Sequence, residues 1–405
     1  MTTPDSPSAP PADPAPPALA PLMLAAFTGT MGLMAFVSVA GPLTSLLGLE
    51  PWHMGVVMAI AGVAWMVMAR VWGVQSDRQG RRPILLTGLA GFSLAYAALI
   101  LFVEAALAWT LAPLLALLGL VVGRAAMGIF YAAVPTVAAA VVADRVAPAG
   151  RAKMMAAIGS ASSAGLVAGP GLAGLLGDAG LLVPLYMTLA MPPIALAWLW
   201  WRLPPDAPAE HVAKPPPNLA DARLHAAMGF GFAASFCVAI AQVIIGFFAM
   251  DRLGFDAEGA AGSAGTALAI VGASLFAAQT LVRKLDVAPA TLVQLGGGLA
   301  AAGFALSAAA QSEAVLFFGY AIVAGGMGMI YPAIPAIAAN AVEPHEQGAA
   351  AGAVGMAQGF GIVVGPLLGT AAYALAPSVP YLVAAAAMAG VVAGSIRAAR
   401  RGQPD

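Results

Sequence analysis

Gly73-Val-Gln-Ser-Asp77-Arg78-Gln-Gly80-Arg81-Arg82-Pro-Ile-Leu-Leu86 decides the fold of this chain. Three arginines and a carboxylate crowd into a short loop between two long apolar segments. Asp77 and Arg81 stand four residues apart, and Gly80 between them permits a tight turn. Such charge in such surroundings reads as a membrane-edge loop.

The rest of the chain agrees. It has 405 residues, 61% hydrophobic and only 9% charged, with a mean hydropathy of +0.90. A soluble globular protein carries about 25% charged residues. So little charge cannot cover a water-facing surface, so the expected solvent is lipid. The net charge of −1 gives no footing for nucleic acid. Cys237 is the single cysteine, which excludes an internal disulfide and a thiolate metal cluster. No phosphate-binding glycine loop appears. No cofactor is expected, and no His–acid cluster of an intramembrane enzyme.

Twelve apolar stretches are long enough to span a ~30 Å hydrocarbon core. They fall near 21–47, 53–72, 83–104, 111–142, 152–177, 181–202, 226–250, 259–282, 290–311, 314–342, 349–373 and 379–400. Fifteen of the 17 cations lie in one set of loops, Arg252 lies in the other, and Arg124 lies inside a helix. By the positive-inside bias the first set is cytoplasmic, and so are both termini. Residues 1–20 read as a disordered cytoplasmic tail and 401–405 as a short one. The Pro- and charge-rich residues 203–224 divide a first six-helix bundle (21–202) from a second (225–400).

The halves are repeats. Met127-Gly-Ile-Phe-Tyr-Ala-Ala-Val-Pro135 matches Met327-Gly-Met-Ile-Tyr-Pro-Ala-Ile-Pro335 at an offset of 200. Gly165-Leu-Val-Ala-Gly169-Pro170 matches Gly361-Ile-Val-Val-Gly365-Pro366 at an offset of 196. Parallel repeats of this kind build two-bundle transporters that rock around a central site. The expected fold is all-α and polytopic: twelve transmembrane helices in two pseudo-symmetric six-helix bundles.

Arg124 is the sharpest single residue. It sits about twelve residues into the fourth stretch, roughly 18 Å along a helix, near the bilayer midplane. An arginine there costs at least ~2.5–3.5 kcal/mol by insertion scales, so it must face a partner, water or a substrate. Arg124, Met127, Gly128, Tyr131 and Pro135 share a helical face, and their repeat mates are Ala324, Met327, Gly328, Tyr331 and Pro335. Both faces are expected to line a central cavity, with paired tyrosines and one unpaired cation. Gln242 and Gln358 are further cavity candidates, and Met31, Met34, Met58, Met66 and Met68 are candidates for flexible apolar walls. Residues 21–47 contain no acid, and no carboxylate is placed at membrane depth.

The Asp77–Arg82 loop resembles the signature after the second helix of the major facilitator superfamily, with Gln75 and Ser76 where Leu and Ala are usual. Gly123-Arg124-Ala-Ala-Met-Gly128 resembles that family's fourth-helix signature. Gly165-x-x-x-Gly169-Pro170-x-x-Ala173-Gly174 resembles the fifth-helix signature of its antiporter members, with Ala173 in place of a glycine. The resemblance implies a secondary transporter. Asp77, Arg78, Arg81, Arg82 and Asp144 would form a gating charge relay, and Arg124 would serve proton transfer or substrate binding. A helix bent at Gly165, Gly169, Pro170 and Gly174 would seal against proton leak. It further implies a monomer of the inner membrane that exports a small molecule, with protons as coupling ion. Two substrate readings stay open: a range of amphipathic drugs, or a dedicated anionic metabolite such as a carboxylate siderophore. A non-transporting membrane sensor or assembly partner is the reading from another class.

Overall fold

A computed structural model describes residues 19–146, 148–176, 179–204, 220–282, 287–343 and 346–401. Residues 1–18 of the expected 1–20 tail, most of the 203–224 linker with His211 and Lys214, and Asp178, Arg283, Lys284 and Asp286 lie outside them, while Leu19 and Ala20 already belong to the first helix.

Among the described residues all regular structure is helical. The first bundle comprises α1 (Leu19–Leu46), α2 (Pro51–Gln79), α3 (Arg81–Ala108), α4 (Pro113–Tyr131), α5 (Ala133–Arg145), α6 (Pro148–Leu176), α7 (Val183–Leu189) and α8 (Met191–Arg202). The second comprises α9 (His225–Leu253), α10 (Ala257–Val282), α11 (Pro289–Ala308), α12 (Glu313–Asn340), α13 (Gln347–Tyr373) and α14 (Val379–Arg401). Two of the expected spans are each split in two. Pro135 has no N–H for the Tyr131 carbonyl, and the chain breaks at Ala132 between α4 and α5. Pro192 and Pro193 do the same at Ala190 between α7 and α8. Counting each pair as one gives twelve columns, eleven of them long and apolar enough to cross a membrane. The remaining column is α6, whose glycines and serines lower its hydropathy. The structure is the all-α, two-bundle polytopic fold.

The decisive loop is shorter than a loop. α2 and α3 are joined by Gly80 alone, at φ +94°. That backbone is strained for a residue with a side chain, so glycine is the one type that turns freely here. Arg81 is thereby held at the first turn of α3, four residues after Asp77.

Each bundle is knitted by the same contacts. A Cβ on Gly165 or Gly169 of α6 would strike the α1 backbone at Phe27, Met31 and Ala35. Their repeat mates Gly361 and Gly365 of α13 face the α9 backbone at Phe232, Phe236 and Ile240. Small residues let these helices approach closely, which is how helices associate in lipid. The equivalences set an offset of 205 between α1 and α9. With that offset Gly41 corresponds to Gly246, and these two meet: a Cβ on Gly41 would lie 2.8 Å from the Gly246 carbonyl carbon. A residue touching its own repeat mate lies on the pseudo-two-fold axis. Beside it, Gly55 of α2 approaches the Pro366 carbonyl of α13 at 2.7 Å, and Gly265 of α10 approaches the Pro170 carbonyl of α6 at 2.5 Å, both measured from a virtual Cβ. Gly62 against Val363 and Gly272 against Val167 repeat the pattern one step further in. These inter-bundle contacts all lie in the half of the molecule away from the Asp77–Arg81 turn.

Candidate functional site

Between the bundles lies a cavity of about 240 Å³. From the first bundle it is lined by Leu33, Met34 and Val37 of α1, Met58, Ala61, Gly62 and Trp65 of α2, and Arg124, Gly128 and Tyr131 of α4. Ala239, Gln242 and Val243 of α9 and Gly359, Ile362 and Pro366 of α13 face them from the second. No Asp, Glu or His is in this lining.

Arg124 is 5% exposed, and its environment is soft. Nη2 points at the Met58 sulfur at 3.4 Å and Nη1 at that of Met127 at 4.0 Å. The guanidinium carbon stands 4.7 Å from the centre of the buried Phe36 ring. Nε is buried without a hydrogen-bond partner. A cation–π contact in a desolvated site is worth about 2 kcal/mol, and thioethers are weak acceptors. Together they hold the cation without satisfying it. Among the described residues it has no carboxylate within salt-bridge distance.

Tyr131 borders the same cavity, but its hydroxyl is engaged. It shares a 2.8 Å hydrogen bond with Thr30 Oγ1 and donates to the Ala26 carbonyl at 3.2 Å. Its ring also fills the space that a Cβ on Gly29 would need. Gln242 reaches the cavity from α9. Tyr331 and Gln358 are not among the residues that line it. Gln358 packs against Gly231, within 3.1 Å of that residue's virtual Cβ. The expected pair of tyrosines therefore does not face across this cavity; one tyrosine does. Of the methionines singled out, Met34 and Met58 line it, while Met31 is buried where α6 packs on α1. Trp65 and Phe36 carried no signal in the sequence reading, because an aromatic in an apolar helix looks like any other core residue.

The second cluster sits at the Gly80 turn. Arg81 is 8% exposed. It donates from Nε to Asp144 Oδ2 at 2.8 Å and from Nη1 to Ser76 Oγ at 2.7 Å, and it also bonds Asp77. The cluster thus ties α2, α3 and α5 together. Ser76, the departure from the usual Ala, is one of its partners. Arg78 is exposed beside it. Arg82 donates to the Trp200 carbonyl at 2.7 Å and covers that ring at 5.4 Å, joining α3 to α8. In the other bundle Arg223 forms a fork with Glu346 at 2.9 and 3.0 Å and also pairs with Asp221. Its hydrogen bonds to Arg223 hold the half-buried Asp221 carboxyl below its ordinary value.

In α6, Gly165 and Gly169 face α1, whereas the Pro170 carbonyl and Gly174 face Gly265 and Thr266 of α10 in the other bundle. The antiporter-like stretch is at once a packing face inside its own bundle and half of the seam between bundles.

Two bundles about a pseudo-axis, a cavity beside that axis and an arginine cluster at the turn between the second and third spans are joined by a family match over residues 22–366. The chain belongs to the Major Facilitator Superfamily. It is a transporter, not an enzyme, and a multi-pass membrane protein. Its curated relatives include the class D tetracycline resistance protein of Salmonella ordonez, 28% identical over 331 residues, 78% of this chain and 78% of the relative. The class B tetracycline resistance protein of Escherichia coli is 29% identical over 327 residues, again 78% of each. Solved structures of other superfamily members share the fold. The human organic anion transporter MFSD10 (TETRAN) has a TM-score of 0.65 at 19% identity, covering 93% of this chain and 98% of that one. A bacterial homolog of the human lysosomal transporter Spinster, inward-facing and unoccupied, has a TM-score of 0.67 at 15% identity, covering 94% and 95%.

Proposed function

We propose that this superfamily member is a proton-coupled exporter of a small amphipathic organic molecule across the inner membrane. The observation that carries this reading is the cavity between the bundles, apolar but for a few polar groups and closed on one side by the glycine seam. Tetracycline resistance among the relatives supports efflux, and so does the Gly165–Gly174 stretch. The Lys and Arg bias supports a cytoplasmic placement of the Gly80 turn and both termini. With that orientation the seam closes the outer side, and the cavity loads from the cytoplasm.

In this reading residues 21–202 and 225–400 are the rocking bodies and 203–224 connects them. The Asp77–Arg81–Asp144 cluster gates the basic face. It is a set of charges at helix ends that can break and reform as the bundles rock. Arg124, Tyr131 and Gln242 hold the substrate.

A second reading, a dedicated exporter of an anionic metabolite, is favoured by one observation: among the described residues the only formal charge on the cavity wall is Arg124. The test of export is transport by the purified chain in proteoliposomes under an imposed pH gradient. Accumulation that a protonophore abolishes supports proton coupling; accumulation that follows the concentration gradient alone overturns it. The two substrate readings separate when small molecules in medium and cells are compared between a strain lacking the protein and its parent. An anion retained in the cells supports the dedicated exporter, and a change confined to drug susceptibility supports efflux of drugs.

A further inference from the structure

The internal repeat supplies a control for every side chain in the cavity. A residue that the fold needs has a similar mate in the other bundle, as Gly41 has Gly246 and Gly165 has Gly361. Three polar cavity residues break that rule. Arg124 has Ala324 as its mate at the offset of 200. Gln242 has Val37 at the offset of 205 set by the α1 and α9 contacts. Trp65 has Leu275 at the offset of 210 that relates Gly55 to Gly265 and Gly62 to Gly272. The scaffold is built with an apolar residue at each of these places, so the polar ones serve something other than packing.

What they offer is one-sided. Arg124 has five N–H donors and no acceptor, and its Nε is buried with no partner. Trp65, on the cavity wall, carries an indole N–H, a donor only. Gln242 brings an amide with both functions. Neither Trp65 nor Gln242 has a hydrogen-bond partner among the described residues. Tyr131, the remaining polar group of the lining, is bonded to Thr30 and Ala26. Donors therefore outnumber acceptors on three helices from two bundles, and the fixed charge is positive. Trp65 and Met58 add a flat, polarizable wall.

We propose that this cavity binds a singly charged aromatic organic anion, with the anionic group on Arg124, a neighbouring acceptor atom within reach of Trp65 or Gln242, and the ring against Trp65 and Met58. A ligand of this class supplies the acceptor that Arg124 lacks. An organic cation of the same shape leaves Arg124 unpaired and adds a like charge beside it. Gln242 lies on the other bundle, so a ligand that bonds both Arg124 and Gln242 spans the bundles and makes anion selectivity a property of the assembled cavity. The inference rests on the reading of this cavity as the substrate site.

The test uses the full chain in lipid nanodiscs and three probes of one shape: naphthoate, naphthamide and naphthylmethylammonium. Binding is read by quenching of tryptophan fluorescence and by calorimetry. The expected order is naphthoate first, by roughly tenfold to a hundredfold over naphthamide, the worth of a hydrogen bond between charged groups, with the ammonium weakest. Arg124→Gln is expected to erase the difference between naphthoate and naphthamide, chiefly by weakening naphthoate. Arg124→Lys is expected to keep the order. Equal binding of all three by the unaltered protein, or preference for the ammonium, overturns the proposal whatever the variants do. The same probes in proteoliposomes separate the two readings. Anion-selective binding without transport overturns the transport reading and leaves the site. Proton-driven transport of the cation, unaffected by Arg124→Gln, overturns the anion site and leaves the transporter.

Discussion

Arg124 carries the strongest consequence of any single side chain. An unsatisfied guanidinium in the membrane interior is costly, and nothing about packing α4 demands it, since Ala324 serves at the equivalent place in α12. Replacing it with Ala is therefore expected to leave expression and membrane insertion intact and to abolish transport, measured as efflux per molecule of inserted protein. Full activity would remove Arg124 from the mechanism. Asp77 is expected to behave differently. Asp77→Asn removes a carboxylate bonded to Arg81 but touches no cavity residue. Turnover is expected to fall more than substrate affinity, and the two are separated by measuring transport rate and equilibrium binding on the same preparation. An equal loss of both would contradict a gating role. Arg124 was legible from charge and depth alone, because a cation in an apolar stretch has no ordinary explanation. Trp65 was not, because an indole's use depends on which way it faces. Tyr331 was drawn in by symmetry and helical phase, which fix a face but not the neighbour that occupies it, and Gln358 by its polarity alone, which fixes neither.

Among the elements, α6 and α13 decide how the bundles hold together and how they meet. Gly169 lies against the backbone of α1, so Gly169→Val forces two helices apart. The expected cost is that of overpacking, about 1–3 kcal/mol, read as a lower thermal midpoint in detergent. The seam residue Gly41 is expected to respond in another way. Its Cβ would meet backbone of the other bundle, not of its own. Gly41→Val is expected to leave each bundle folded and to prevent closure of the seam. Spin labels at Leu46 and Arg252, in a Cys237→Ala background, are expected to move apart relative to the parent. An unchanged distance would mean that the seam is not under steric control at this glycine. The twelve spans and the charge bias were plain in the sequence. The breaks at Ala132 and Ala190 follow from prolines whose effect was foreseeable in kind but not in place. The repeat of whole halves was legible, but the residue registers of α1 on α9 and of α2 on α10 come from their glycine contacts. Gly55-x-x-x-Ala59-Ile60-x-Gly62 recurs as Gly265-x-x-x-Ala269-Ile270-x-Gly272, yet these small residues are common enough in apolar helices that the match gains meaning only once both are seen at the seam.

At the scale of the whole molecule, two near-equivalent bundles meet about an axis marked by Gly41 and Gly246, and the cavity beside that axis is chemically unsymmetrical. Pseudo-symmetry of the contacts gives the bundles two comparable ways to lean on each other, as alternating access requires. In the proposed reading, asymmetry of the lining gives the site its selectivity. In the proposed mechanism this apparatus moves a small molecule against its gradient at the expense of protons, with Arg124 in the cavity as an essential contact. The most direct test loads proteoliposomes of the unaltered protein and of Arg124→Ala in parallel, imposes a pH gradient, and follows uptake of tetracycline and of naphthoate. Gradient-driven, protonophore-sensitive uptake of at least one of them is expected for the unaltered protein and none for the variant. Uptake that ignores the pH gradient, or that survives intact in Arg124→Ala, would contradict this mechanism.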